Sequence, residues 1–166
     1  MPSSEHADTG DTGDTGDGLP GAGRRIPFLD HLGLRREKVA GGEAVLVLPL
    51  RPELLNNHGG GHGGVVMTLL DATMANAALS RIDFAREVVT IDVHVAFMRP
   101  ASGELRCVGR ATGGGRSVCY CEAEIVDASG QVTAKAMGTF RYRVAEGEVG
   151  ARPSVPPGPD GEAKGA

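Results

Sequence analysis

Residues 63–80 read GGVVMTLLDATMANAALS, and the fold turns on this stretch. Beyond Gly63 and Gly64 it holds neither Pro nor Gly, so nothing in it breaks a helix. Its apolar residues, among them Val65, Val66, Met67, Leu69, Leu70, Met74, Ala78 and Leu79, fall on every side of a 3.6-residue turn. A helix apolar all round is an enclosed one. At about 1.5 Å per residue it would be about 27 Å long, enough to cross a small sheet.

The flanking residues supply that sheet. Upstream, Glu43 to Leu50 is rich in Val and Leu and predicts a strand ending near Pro49, followed by a connection from Arg51 to Gly61 heavy in Asn and Gly. Ile26 to Leu34 predicts one or two helical turns leading into Gly33. Downstream, Val89 to Met98 alternates. The alternation sends Val89, Ile91, Val93, Val95 and Phe97 to one face and Thr90, Asp92, His94 and Ala96 to the other. Leu105 to Ala111, Ser117 to Val126 and Gln131 to Val144 follow as further strands, separated by connections of hairpin scale. A strand, a buried helix and four closely joined strands predict an α+β fold, an antiparallel sheet wrapped around one long central helix.

The 166 residues leave room for one domain and tails. Residues 1–25 predict a disordered acidic tail, 26–145 the folded domain and 146–166 a flexible Pro/Gly-rich tail. The repeat DTGDTGDTGDG at residues 8–18 has no apolar strands beside it, which separates it from the Asp-Thr-Gly of aspartic proteases. The formal charge of −4 divides unevenly: residues 1–23 carry −5 and residues 146–166 carry −2, leaving +3 on residues 24–145. A mildly basic body suits a polyanionic small ligand and is far too little for nucleic acid. There is no signal-peptide pattern and no run of about 18 apolar residues, so the expectation is a cytoplasmic protein that does not enter a membrane. Cys119 and Cys121 would point to one face of a strand; with Cys107 they read as buried free thiols, because no other Cys or His stands at ligand spacing.

Between Glu53 and Arg81 the one formal charge is Asp71, in the middle of the predicted buried helix. A carboxylate there is costly, and such a residue is either hydrogen-bonded structure or a functional acid or base. Directly upstream lies Asn56-Asn57-His58-Gly59-Gly60-Gly61-His62-Gly63-Gly64. Glycines let a backbone approach a ligand closely, and the first N–H groups of a helix are unpaired donors at the positive end of its dipole. The outline is that of an oxyanion hole. His58 and His62 are four apart, but the glycines between them disfavour a regular helix and no third ligand is evident, so no metal site is expected; His62 reads as a hydrogen-bonding residue near the carbonyl.

The spacing Asn56-x5-His62-Gly63-Gly64-x6-Asp71, with the strand Val89-Thr90-Ile91-Asp92-Val93 and the sequence Phe97-Met98-Arg99-Pro100, resembles the phenylacetate-degradation (PaaI-type) branch of hotdog-fold acyl-CoA thioesterases. The similarity covers about residues 28–143. It implies five or six strands around the helix, a homodimer with a continuous sheet, often a dimer of dimers, and active sites at the dimer interface. By the resemblance, Asp71 is the nucleophile or general base. The Gly63 N–H and the Asn56 amide polarise the thioester carbonyl, with His62 beside them. Thr90, contributed by the partner protomer, positions water. Gly64, Met67 and Phe97 contact the substrate, with Leu54, Leu55 and Met74 also lining an apolar acyl pocket. Arg99, Arg110, Arg116, Arg141 and Arg143 are available for phosphates, Arg116 foremost because it follows the Gly113-Gly114-Gly115 turn. Coenzyme A enters as part of the acyl-CoA substrate, and no separate cofactor is implied.

Two other readings use the same fold. A hydratase or dehydratase acting on acyl thioesters commonly has Pro after its His-Gly segment, and here Gly64 follows Gly63. A non-catalytic acyl-CoA-binding protein has no need of a lone acid inside the helix.

Overall fold

The computed structural model describes residues 26–144. The elements are α1 (Pro27–Leu32), β1 (Arg35–Ala40), β2 (Glu43–Pro49), a 3-10 turn (Pro52–Leu54), α2 (Gly63–Ser80), β3 (Glu87–Phe97), β4 (Glu104–Gly114), β5 (Val118–Val126) and β6 (Val132–Arg143). The two tails and Ala145 lie outside the described residues.

All six strands form one antiparallel sheet in the order β1-β2-β4-β5-β6-β3, and α2 touches every one of them. This is the predicted hotdog architecture. The sheet carries one more strand than its sequence suggests: β1, Arg-Arg-Glu-Lys-Val-Ala, is an edge strand whose only buried residue is Val39. Gly41 and Gly42, at φ of +60° and +86°, turn the chain from β1 into β2 at angles that suit glycine.

Leu46, Leu48, Leu69, Leu70, Met74, Leu105, Ile125 and Phe140 are shut off from solvent between the sheet and α2. Close approach is secured by Gly109. A Cβ there would lie 2.9 Å from the Thr73 methyl, so the helix rests on β4 only because that position has no side chain. Cys107, Cys119 and Cys121 all face this core as free thiols, as expected, with the Cys119 and Cys121 sulfurs 3.7 Å apart.

Two expectations need correction. The helix is not enclosed all round: Gly64, Met67, Thr68, Asp71, Ala75 and Leu79, spaced three and four apart, form a stripe that stays partly open. The alternation of β3 is also interrupted. Thr90 pairs with Phe140 and Asp92 with Thr139, leaving Ile91 as an extra residue in a bulge. The extra residue shifts the parity of the strand. Thr90 therefore shares the helix-facing side with Val93 and Val95, and Val89 and Ile91 are left exposed.

Candidate active site

The bulge brings Thr90 to Asp71. The threonine hydroxyl donates to Asp71 Oδ1 at 2.8 Å, helix to edge strand within one chain. Thr90 is thus not delivered to this acid by a partner protomer, contrary to the sequence expectation. Among the described residues Asp71 has no cationic partner. Burial pushes its carboxyl above the usual carboxylate range, and the Thr90 hydrogen bond only partly opposes this. One carboxylate oxygen is held and the other is left for chemistry.

A second group assembles at the start of α2. His62 is its N-cap, with backbone angles of −61° and 135°, and its Nδ1 accepts the Gly64 N–H at 3.0 Å. The Val65 and Val66 N–H groups both donate to the His62 carbonyl, at 2.9 and 3.1 Å. That accounts for three of the four N-terminal donors of the helix. The remaining one, the Gly63 N–H, is unclaimed among the described residues.

Asn56 shapes the loop that leads there. Its Oδ1 accepts from the backbone of His58 and Gly60, at 2.8 and 3.2 Å, while Nδ2 reaches the Gly61 carbonyl at 3.5 Å. Gly61 is wedged against Leu50 and Ala101 and donates to the Ala101 carbonyl at 2.8 Å, so this glycine run is a packed loop. The ring of Phe97 lies over the turn, 3.6 Å from where a Cβ of Gly63 would be.

The predicted residues therefore fall into two clusters, Asp71 with Thr90, and Asn56, His62, Gly63, Gly64 and Phe97. Positions 63, 67 and 71 share one helix face, but two turns separate the ends, about 12 Å at about 1.5 Å per residue. A single chain does not bring both to one carbonyl carbon. Met67, between them, is exposed, as is Phe97. Leu54 and Met74, expected in the acyl pocket, are instead sealed in the core. Arg110 is tied to Glu122 and Arg99 to the Val132 carbonyl. Arg116 lies at the far end of α2, in a cavity with Arg81 and Arg86, which sequence reasoning missed. Among the described residues no group of three or more His, Cys, Asp or Glu is placed to hold a metal, and no helix is long and apolar enough to cross a membrane.

An antiparallel sheet wrapped on a helix that opens with a glycine turn and carries a desolvated acid defines a hotdog-fold protein of the PaaI type. The chain belongs to the Thioesterase superfamily, whose profile it matches over residues 58–134. A protein of Saccharolobus solfataricus named "Putative esterase" is 33% identical over 114 residues, 68% of this chain and 79% of that one. A namesake from Halobacterium salinarum is 34% identical over 126 residues, 70% and 83% of the two chains. Among solved structures, the conserved protein PA5202 of Pseudomonas aeruginosa shares 33% identity with a TM-score of 0.68, covering 72% of this chain and 95% of that one. The PaaI protein of the E. coli phenylacetic acid degradation operon shares the fold, with a TM-score of 0.67 at 22% identity over 72% and 86% of the chains. A hypothetical thioesterase protein of Streptococcus pneumoniae, solved with coenzyme A, has a TM-score of 0.62 at 23% identity over 67% and 86%.

Proposed function

We propose that this protein hydrolyses the thioester of an apolar acyl-CoA, aryl or medium-chain, at a site built by two copies of the chain. The observation that carries the proposal is the Asp71–Thr90 pair: a desolvated carboxylate with no cation partner, one oxygen oriented by a hydroxyl and the other free. An acid so placed is poised to take a proton or to attack a carbonyl.

The separation of the two clusters supports a shared site. β3 is an edge strand of 11 residues with one side of its ladder unpaired among the described residues, and it exposes Val89 and Ile91 beside the open stripe of α2. Such an edge invites a second strand. A two-fold related copy running antiparallel would set its own Gly63 N–H and Asn56 against this chain's Asp71 and Thr90, making two equivalent sites. A dimer of such dimers completes the assembly implied by the family.

In this reading the carbonyl oxygen sits on the free Gly63 N–H, with Asn56 as the second donor. Asp71 removes a proton from water as the water oxygen bonds to the carbonyl carbon. The tetrahedral oxyanion collapses, the C–S bond breaks, and the thiolate takes back the proton from Asp71 to leave a carboxylic acid and free CoA thiol. Electrostatic stabilisation of the oxyanion and one positioned base suffice, so no cofactor beyond the substrate's CoA is needed. Met67 and Phe97 supply the apolar surface against the acyl group.

The test is thiol release from a panel of acyl-CoAs by wild type, Asp71→Ala and Asp71→Asn. Hydrolysis that persists in both variants removes Asp71 from the reaction. A single turnover in ¹⁸O-water separates attack by water, which labels the product acid, from attack by Asp71, which labels the protein.

A further inference from the structure

At the C-terminal end of α2 a cavity of about 430 Å³ is lined by Arg81, Arg86 and Arg116 together with Ile82, Ala85 and Tyr142. No Asp or Glu lines it, and among the described residues none of the three arginines is in an ion pair. Three guanidiniums facing one cavity without a counter-charge repel each other unless an anion joins them. We propose that this cavity is an anion site that receives the phosphates at the distal end of the substrate's carrier.

The cavity is held in shape. Arg81 donates to the carbonyls of Gly113 and Gly114, and Arg86 to the carbonyl of Arg116 at 2.8 Å. These bonds tie both arginines to the β4–β5 turn. Gly114 has φ of +113°, and a Cβ there would fall 2.3 Å from the Val118 carbonyl oxygen, so the turn accepts no side chain at that position. The Gly115 N–H closes the turn onto the same oxygen at 2.8 Å. Arg116 projects from its tip with no side-chain partner among the described residues.

Donor accounting points to a multiply charged oxyanion. A guanidinium has five N–H groups in a planar fork suited to phosphate. Arg116 has spent none of them and Arg86 only one. Their free donors converge on the cavity, where an organic carboxylate would satisfy few and a diphosphate many.

The site is also at the right distance. From Asp71, α2 runs about 15 Å to its C-cap Arg81; from Thr90, β3 runs back about 13 Å to Arg86. Both elements lead from the reacting pair to the same cavity. Between a thioester sulfur and the first phosphate of coenzyme A lie two amides and their spacers, an extended length on the order of 15 Å. The identity of the ligand rests on the thioesterase reading, whereas the anion site itself stands on the arginines.

The experiment is calorimetric titration of the full chain with adenosine 3′,5′-bisphosphate, paired with KM values for one acyl group on CoA and on pantetheine, which lacks the nucleotide phosphates. Arg116→Gln breaks no contact in the fold. It is expected to weaken the bisphosphate about tenfold and to shrink the KM advantage of the CoA thioester over the pantetheine thioester by a similar factor. Unchanged bisphosphate affinity, or an equal rise of KM on both thioesters, overturns the assignment. If wild type hydrolyses neither thioester, the thioesterase reading fails while the titration still decides the anion site.

Discussion

Asp71 combines a functional requirement with a cost to the fold, and the two separate by pH. Its folded-state pKa is raised by burial, so the stability linked to its protonated form is complete below the unfolded carboxylate pKa and is lost as pH rises through the higher folded value. Asp71→Asn removes that loss. Thermal melts across pH should show the Asn variant gaining on wild type as pH rises, while its hydrolysis falls by about 10³-fold or more; a constant gap between the melts would contradict the desolvated acid. For activity the sign is opposite, since Asp71 must be ionised, and kcat/KM rises along a limb above the ordinary carboxylate range. Thr90→Val deletes the bond that holds this pKa down, so the limb should shift to higher pH; a limb that stays put would remove Thr90 from the pair.

Among the elements, α2 is where sequence and structure agree best, because one uninterrupted apolar run bounded by glycine and arginine admits little besides a helix between layers. Its N-terminus also offers a clean deletion of the oxyanion donor. Gly63 is the first helical residue, a position that tolerates proline, and His62 already has the extended backbone that precedes one. Gly63→Pro should keep the circular dichroism of the fold and cost about 10²–10³ in kcat; full activity would mean the carbonyl is held elsewhere. The contact of α2 with β4 predicts that Gly109→Ala, which pushes a methyl to 2.9 Å from Thr73, costs about 1–3 kcal/mol in denaturant unfolding. The strands were less legible. β1 hides because Arg35, Arg36, Glu37 and Lys38 give an edge strand no apolar pattern, although the Gly41-Gly42 turn was its available signal. The face of Thr90 was misread because a bulge changes parity without changing composition. Arg81 and Arg86 went unnoticed because only the fold carries the β4–β5 turn across to the end of the helix.

At the scale of the whole molecule, each chain carries two incomplete halves, and sequence spacing alone could set Gly63 and Asp71 on one face but not decide that they serve different carbonyls. Mixing Asp71→Asn with Gly63→Pro, each inactive alone, should restore about one quarter of the wild-type sites once subunits exchange at random. No recovery after confirmed exchange would place both halves of a site in one chain. The three thiols carry a practical corollary. All are buried on the inner sheet face, and burial raises Cys107 to about 12, far from a reactive thiolate. A disulfide dye added to an assay mixture therefore stays blind to the native protein and colours only with product, and any slow background drift it records becomes a clock for the sheet lifting off its helix.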